Sequence, residues 1–401
     1  MNLLANRVKQ IKPSFTLDMV TRASELKDQG EDVINFSAGQ PDFNTPENIR
    51  NAAKKAMDRG DTKYTSGSGT IELREAVCQK VKRENKLTIS PDSVLISNGE
   101  KQSLSLVCQT LFQKNDEVVI FKPYWVSFPE FVALADAKPL FINTNPQKNF
   151  EPDIVDIESI LSNRKKVKGI IINSPSNPTG AIWSDEIIIK ILRLAKENNI
   201  VVISDECYER LVFDKKFVSA EKLNQKNKIG ANIITCMSMS KTYSMTGWRI
   251  GYSFGDPIII NGMSKIQGQA TSCANSISQA AAVEALLGNQ DQVSFMIKKF
   301  KERRDLIVSL LNNIKGVNCE LPGGAFYAFP NFEYYLGKSF NGKEIKNSFD
   351  LSDLFLDIAK VVTVPGDGFG APAHIRFSYP IGKKLINDGI NRVKNILDQL
   401  N

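Results

Sequence analysis

The sequence predicts an α/β protein with a mostly parallel sheet covered by helices, together with a smaller α+β part. Between about residue 50 and residue 290, short apolar runs rich in β-branched residues alternate with longer amphipathic runs. The short runs are apolar on both faces, which is typical of strands buried in a parallel sheet. The longer runs have helical periodicity, which indicates helices on both sides of that sheet.

Seven short runs are the candidate strands of this sheet. In chain order they are VLIS (94–97), EVVIF (117–121), PLFIN (139–143), GIIIN (169–173), IVVIS (200–204), IITCM (233–237) and RIGYSF (249–254). The clearest helix between them is predicted over residues 184–199, where the Ser184 hydroxyl can cap the N-terminus. A second amphipathic run, DQVSFMIKKFKERRDLIVSLLNNI, predicts a long helix that leads into the smaller part.

The chain length of 401 residues favours more than one domain. We expect a large domain over residues 48–290 and a small, discontinuous domain made of residues 1–47 and 291–401. No apolar run approaches the roughly 20 residues of a membrane span, and the N-terminus has no apolar stretch of signal-peptide length. A cytoplasmic protein without a membrane partner is therefore expected.

The charged residues argue against several classes of function. The net charge of +7 is spread along the chain rather than gathered in a block, so we expect anionic small substrates and no nucleic acid partner. None of the six cysteines forms a CxxC pair, and the one histidine, His374, is too little for a His-rich zinc site. We therefore expect no metal, and protons moved by a group other than histidine.

Polar residues follow four of the candidate strands. The segments are VLISNGEKQS, GIIINSPSNPTG, IVVISDECYE and IITCMSMSK. In open α/β sheets ligands bind beyond the carboxyl ends of the strands, so these residues are the candidates for the chemistry. The last segment ends at Lys241, whose amine forms a Schiff base only when it is deprotonated. Burial and the nearby Arg249 would lower its pKa, although a surface loop lysine is the simpler alternative.

The other candidates describe a pocket for a phosphorylated pyridine aldehyde. The Asp205 carboxylate could pair with a ring nitrogen, and Tyr208 and Asn177 could contact a ring oxygen. Backbone N–H groups at residues 98–103 form a potential anion site, which Ser238 and Arg249 could complete. Trp125 could stack on a ring, and Arg376 could bind a substrate carboxylate. A helix cap, a structural ion pair, a turn and core aromatic residues are the alternatives.

The motifs in chain order resemble the fold-type I pyridoxal-phosphate enzymes, and within them the class I aminotransferases. The segments concerned are SAGQPDFNTPENI, TKYTSGSGTIELREAV, PYWVSFPE, NSPSNPTGA, SDECYE, SMSKTYSMTGWRIGY, PGGAFY and HIRFSY. They cover nearly the whole chain at family spacing, and as a set they are specific. The chain is similar in particular to the bacterial aspartate aminotransferase branch, whose members often also accept prephenate.

The resemblance implies a role for each matching residue. Lys241 would hold the cofactor, pyridoxal 5′-phosphate, and then move the proton. The implied cofactor-binding residues are Gly99, Glu100, Lys101, Trp125, Asn177, Asp205, Tyr208, Ser238, Lys241 and Arg249, with Tyr64 reaching the phosphate of the other subunit of a homodimer. The implied substrate-binding residues are Gly39 and Arg376 for the α-carboxylate, Lys101 for a distal carboxylate, Trp125 and Asn177, and Lys12, at the position linked to prephenate use.

Three positions depart from the pattern of the family. Gln40 replaces the glutamate of a usual GEPDF motif, Glu100 replaces a second glycine of the phosphate loop, and Cys207 replaces an aliphatic residue. A carboxylate beside a phosphate should weaken cofactor binding unless it points away or meets a cation.

The resemblance implies transfer of the amino group of L-aspartate to 2-oxoglutarate, by a ping-pong cycle between pyridoxal and pyridoxamine phosphate. The substrates would be amino acids and 2-oxo acids. Prephenate, aromatic amino acids or alanine are alternative substrates. A β-eliminating or carbon–carbon cleaving enzyme on the same fold is a further alternative. A cofactor-binding regulator or scaffold without catalysis is disfavoured by the complete set of catalytic positions.

Overall fold

The computed structural model describes residues 3–11 and 15–401. Its strands are β1 (Ile34–Asn35), β2 (Val94–Ser97), β3 (Glu117–Lys122), β4 (Lys138–Asn145), β5 (Glu151–Pro152), β6 (Val167–Asn173), β7 (Val201–Asp205), β8 (Ile233–Ser238), β9 (Gly251–Phe254), β10 (Tyr327–Ala328), β11 (Ser339–Phe340), β12 (Lys343–Glu344), β13 (Val361–Val362), β14 (Val364–Pro365) and β15 (Ile375–Ser378). Its α-helices are α1 (Asn6–Gln10), α2 (Phe15–Asp28), α3 (Glu47–Asp58), α4 (Ile71–Lys80), α5 (Glu100–Leu111), α6 (Phe128–Leu134), α7 (Ile154–Asn163), α8 (Asp185–Glu197), α9 (Ala220–Lys226), α10 (Pro257–Ala270), α11 (Ser276–Leu287), α12 (Asp291–Asn312), α13 (Ser348–Asp357) and α14 (Lys383–Leu397).

The large sheet has the strand order β2-β9-β8-β7-β6-β3-β4-β5. The run from β8 through β7, β6 and β3 to β4 is parallel, whereas β9 and β5 pair antiparallel with their neighbours. All seven predicted strands lie in this sheet, so the predicted mostly parallel α/β fold is confirmed. The eighth strand, β5, is a two-residue edge strand that is too short to have a pattern in the sequence.

Helices cover both faces of the sheet because alternate strand residues are apolar in both directions. Ile170 and Ile172 of β6 belong to one buried cluster with α8, whereas Ile171 belongs to another with α5 and α10. The predicted helix after Ser184 is α8, and the Ser184 hydroxyl accepts a hydrogen bond from the backbone N–H of Ile187. The long predicted helix is α12, so both of these helix predictions are confirmed.

The C-terminal part contains the small sheet β10-β15-β14. The N-terminal strand β1 pairs in parallel with β13 of this part, through Ile34 with Val361 and Asn35 with Val362. A single buried apolar cluster runs from Ile34 to Leu400 and includes residues of the large sheet. The division into a large domain and a discontinuous small domain stays a prediction, which the pairing of β1 with β13 supports.

Over residues 3–11 and 15–401, no helix is both long and apolar enough to cross a membrane. The six cysteines are all free thiols, and four of them are buried. His374 is also buried, and its ring stacks on Phe329 with the ring centroids 4.9 Å apart. Burial lowers the pKa of His374 to about 4, so this base is neutral at pH 7.

Candidate active site

A cavity of about 290 Å³ lies at the carboxyl ends of β6, β7 and β8, whose last residues Asn173, Asp205 and Ser238 all line it. The parallel register brings these ends together, because Asn173 pairs with Asp205 and Asp205 pairs with Cys236. The cavity collects residues from distant parts of the chain. The sequence-predicted residues that line it are Gly39, Glu100, Lys101, Trp125, Asn177, Asp205, Tyr208, Ser238, Lys241, Arg249 and Arg376.

Three predicted site residues lie elsewhere. Gly99 does not line the cavity but directly precedes α5 and lies against the Arg249 guanidinium. The Tyr64 side chain is 88% exposed, away from the cavity of its own chain. Lys12 falls outside the residues that the structure describes, so its predicted link to prephenate stays a prediction.

Lys241 follows β8 in a turn that closes over the strand end. Its Nζ donates a hydrogen bond of 2.6 Å to the backbone carbonyl of Gly39, a residue 202 positions earlier in the chain. Burial is the main cause that lowers the pKa of Lys241, and the guanidinium groups of Arg249 and Arg376 lower it further. The nearby Glu100 opposes them by favouring the ammonium form. The alternative of an exposed loop lysine is therefore wrong.

Asp205 presents a buried carboxyl group to the same cavity. Its Oδ1 accepts a hydrogen bond of 3.1 Å from the backbone N–H of Cys207. Burial raises the pKa of Asp205 to about 6, and the hydrogen bonds from Cys207 and Asn173 hold it down. A buried carboxyl of this kind favours a cationic N–H partner, which the cavity could admit.

Three aromatic residues, Tyr208, Tyr327 and Trp125, contribute to the wall of the cavity. The Tyr208 and Tyr327 hydroxyls are 2.6 Å apart, and burial raises the pKa of both phenols, so both are protonated at neutral pH. The Trp125 ring packs edge-on against Phe128 and Phe131, which holds its plane. The Lys101 ammonium lies 5.4 Å from the centre of the Trp125 ring. The cavity thus has both an aromatic face and phenolic hydrogen-bond groups.

An anion cradle lies where α5 begins. No side chain caps this helix, and although the Gln102 N–H donates to the Gly99 carbonyl, the backbone N–H groups of Glu100 and Lys101 are left for a ligand. The backbone at Gly99 has φ +80°, and a Cβ there would clash with the Arg249 guanidinium. Arg249 itself has a left-handed backbone with φ 53°, and its Nη1 donates to the Thr246 carbonyl at 2.7 Å. The N-terminus of α5, the Arg249 guanidinium and the Ser238 hydroxyl are together suited to binding a phosphate.

Arg376 carries a buried charge that no carboxylate of the described residues neutralises. It is 2% exposed; its Nη1 donates to Asn177 Oδ1 at 2.9 Å and its Nη2 to the Ser37 carbonyl at 3.0 Å. Its Nε has no hydrogen-bond partner among the described residues. The guanidinium also lies over the Tyr327 ring at 4.6 Å. Such an arginine is suited to an anionic ligand that enters the cavity.

Several lining residues were missed at the level of sequence, namely Ser37, Val126, Ser127, Asn173, Cys207, Ser240 and Tyr327. Asn173 could have been found, because it ends a strand in the same way as Asp205. Tyr327 lies in the PGGAFY motif, but its meeting with Tyr208 joins residues 119 positions apart. Of the departures, Gln40 is exposed and accepts from Thr246 Oγ1 at 3.2 Å, whereas Glu100 is buried in the cavity.

Comparisons with known proteins give this geometry a family. The family model for aminotransferase class I and II matches residues 31–391. An aspartate aminotransferase of Bacillus sp. (strain YM-2) is 40% identical over 98% of both chains. A probable aspartate/prephenate aminotransferase of Aquifex aeolicus is 39% identical over 99% of both.

Solved structures agree with these relatives. The aspartate aminotransferase from Rhizobium meliloti has a TM-score of 0.95, with 37% identity over 100% of both chains. The Thermus thermophilus aspartate aminotransferase with maleate has a TM-score of 0.92, with 32% identity over 99% of this chain and 100% of that chain. The match extends across the sheet and the C-terminal part alike. The chain therefore belongs to the aminotransferase class I and II family.

Proposed function

We propose that this aminotransferase uses pyridoxal 5′-phosphate to move the amino group of L-aspartate to 2-oxoglutarate, giving oxaloacetate and L-glutamate in a ping-pong cycle. The observation that carries the proposal is one cavity that holds the Lys241 amine, the Asp205 carboxyl and the unpaired guanidinium of Arg376. The names of the relatives support aspartate as the amino donor.

The chemistry of the cavity fits pyridoxal phosphate. Asp205 would face the pyridine nitrogen, and Asn177 and Tyr208 would contact the ring oxygen, with Trp125 against the ring face. The phosphate would bind in the anion cradle, where the Arg249 guanidinium can approach the backbone because Gly99 has no Cβ. Residues of the cradle are the backbone of residues 99–101, Ser238 and Arg249.

The bound cofactor supplies an electron sink for the pair of electrons that the substrate Cα–H bond leaves behind. The residues of the chain do the rest. Lys241, whose pKa is lowered by burial, binds the cofactor and takes and returns a proton at Nζ. Arg376 binds the α-carboxylate together with Gly39, and the phenols of Tyr208 and Tyr327 stay protonated as hydrogen-bond donors. Burial of these groups excludes water from the reacting atoms.

A dicarboxylic substrate accounts for a second cation. Lys101 lines the same cavity as Arg376, and burial and Arg249 lower the pKa of its amine. Arg376 and Lys101 would each bind one carboxylate of aspartate. The Thermus thermophilus relative with maleate supports this, since maleate is a dicarboxylate. Prephenate also carries two carboxylates and is the second candidate, supported by the relatives named aspartate/prephenate aminotransferase.

We further propose a cytoplasmic homodimer in which Tyr64 of each subunit reaches the phosphate in the other. The exposure of Tyr64 in one chain supports a partner at this position. We also propose that the large domain (48–290) and the small domain (1–47 with 291–401) hold the cavity between them, because Gly39 and Arg376 come from the second and Lys241 from the first.

An absorbance spectrum of the purified protein, before and after addition of L-aspartate without any oxo acid, tests this proposal. We expect a yellow band that aspartate bleaches, because the amino group then stays on the cofactor. Lys241→Ala should lack the aspartate response while keeping its fold by circular dichroism, and Lys190→Ala, at an exposed position, is the matched control. A yellow band that aspartate leaves unchanged would overturn aspartate as donor. Release of pyruvate and sulfide from cysteine without an oxo acid would favour the lyase alternative.

A further inference from the structure

The side chain of Glu100 lies inside the protein, although it belongs to the first residue of a helix. Glu100 is 6% exposed, lines the cavity, and has no hydrogen-bond partner at Oε1 among the described residues. Its backbone N–H lies directly against Gly251 of β9, where any Cβ would clash with it. The start of α5 therefore packs closely on β9.

The carboxyl groups of Glu100 and Asp205 are both buried, line the same cavity and interact with each other. The Cys207 thiol also hydrogen-bonds to Glu100, and Lys241 is the cation that acts on it. On the neighbouring strands, burial and nearby charges that include Glu100 raise the pKa of the Cys236 thiol of β8 and of the Tyr252 phenol of β9. The titratable groups that interact with Glu100 are thus the thiols of Cys207 and Cys236, the Tyr252 phenol, the Asp205 carboxyl and the Lys241 amine.

Two buried carboxyls in contact cannot both be ionised without a large cost, so they hold a proton between them. The proton belongs mainly to Glu100. Burial and the Asp205 charge raise the pKa of Glu100 well above its usual range, whereas the hydrogen bond from Glu100 lowers the pKa of Asp205. Glu100 is the donor of this pair and Asp205 the acceptor.

We propose that Glu100 is a positioning residue, whose protonated carboxyl donates a hydrogen bond to Asp205 and keeps that carboxylate ionised and turned towards the cofactor nitrogen. This inference rests on the proposed function, because it assigns Asp205 to the pyridine ring. It also explains how a glutamate is tolerated beside the phosphate cradle. A neutral carboxylic acid does not repel a phosphate, and the helix start still presents its backbone N–H groups.

The arrangement makes two properties depend on pH. A folded-state pKa above the unfolded value means that the native protein holds its proton more tightly, so this stabilisation is present at low pH and lost as pH rises. The same loss of a proton places a second negative charge beside Asp205 and the cradle. Cofactor affinity therefore falls when Glu100 ionises.

The test compares wild type with Glu100→Gln, which cannot ionise but keeps an N–H donor, and with Glu100→Ala, which has no donor. Glu158→Gln, at an exposed helix position, is the matched control. The first readout is the melting temperature of the cofactor-free protein between pH 5 and pH 9. We expect Glu100→Gln to match wild type at pH 5 and to melt higher at pH 9, with Glu158→Gln like wild type throughout.

The second readout is the dissociation constant of pyridoxal phosphate over the same pH range, from the absorbance of the bound cofactor. We expect the ratio of wild-type to Glu100→Gln dissociation constants to rise by about tenfold from low to high pH, because only the wild-type side chain then carries a charge beside the phosphate. Glu100→Ala should bind the cofactor more weakly at every pH. When Asp205 is replaced by Asn, adding Glu100→Gln should no longer change the melting temperature.

Identical pH profiles for wild type and Glu100→Gln in both readouts would overturn the positioning role while leaving the proposed function intact. Failure of wild type to bind pyridoxal phosphate at any pH would overturn the proposed function and with it the cofactor part of this inference. The melting curves would still decide whether Glu100 shares a proton with Asp205. Because Gln preserves the shape of Glu, the comparison does not depend on whether Glu100→Ala folds.

Discussion

Two arginines of this chain are equally buried and yet differ in their partners. Arg304 and Arg376 are each 2% exposed. Arg304 pairs with two carboxylates, Asp214 at 2.7 Å and Asp305 at 2.6 Å, and its Nη1 donates to the Pro322 carbonyl at 3.0 Å. Among the residues that the structure describes, Arg376 meets only neutral acceptors, the side chain of Asn177 and the carbonyl of Ser37.

The difference separates a structural cation from a functional one. A buried charge costs several kcal/mol unless an opposite charge offsets it, and Arg304 has that offset within its own chain. The hydrogen bond from Arg304 to the Pro322 carbonyl tethers the loop that leads to Tyr327, so Arg304 stabilises the wall of the cavity. Arg376 lacks such an offset among the described residues, and an incoming carboxylate would supply it.

Arg376→Met tests whether Arg376 is the functional cation of this pair. We expect kcat/KM for every amino acid donor to fall by about 10³-fold, because a buried charge-assisted pair with the α-carboxylate is worth about 4 kcal/mol. The melting temperature should stay close to that of wild type, since Arg376 forms no ion pair with the described residues that the substitution could remove. Steady-state kinetics and thermal unfolding check both parts, with Arg376→Lys as a partial rescue. Unfolding of Arg376→Met at room temperature would mean that the arginine is structural.

Arg304→Met should show the opposite pattern. We expect the free energy of unfolding to fall by about 2–3 kcal/mol, because hydrogen bonds between charged groups and a buried carbonyl contact are lost. Asp214 and Asp305 are half-exposed and regain water, which limits the loss. KM for aspartate should change little at a temperature where the variant is folded. Urea unfolding measures the first effect, and a large rise in KM without loss of stability would contradict the comparison.

His374 extends the comparison to a buried base that can give up its charge. Its folded-state pKa of about 4 is below the unfolded value, so the stability it contributes is present above pH 6.5 and lost as pH falls. We expect a loss of about 2 kcal/mol between pH 7.5 and pH 5 that His374→Phe does not show. Urea unfolding of both proteins at the two pH values measures it. Equal losses in the two proteins would assign the acid sensitivity to other groups.

Lys101→Ser gives the smallest expected effect and sharpens the role of the second cation. Because much of the Lys101 side chain is exposed although its amine is partly buried, water and salt weaken its pull on a carboxylate. We expect kcat/KM to fall by about tenfold for aspartate and much less for alanine, since only aspartate has a distal carboxylate. Kinetics with the two donors measure the ratio. An equal loss of kcat/KM for both donors would show that Lys101 does not bind the distal carboxylate.

Most of the fold was accessible from the sequence because its pattern is local. Each candidate strand is apolar on both faces and ends in a polar residue, and this pattern alone places Asp205 and Lys241 at one edge of the sheet. The roles of single residues came from the family resemblance rather than from spacing. The two-residue strand β5 was missed because so short a segment has no period.

Periodicity within short windows of the sequence is enough to predict the strands of the sheet, the long helices and the edge at which the candidate site residues lie. Only the tertiary structure decided which charges are paired. Asp305 is adjacent to Arg304 in the chain. The interaction of Glu100 with Asp205, and the lack of a carboxylate near Arg376 within residues 3–11 and 15–401, depend instead on how segments over 100 residues apart come together. Pairing of buried charges is a property of the assembled core, because burial and distance set its energy.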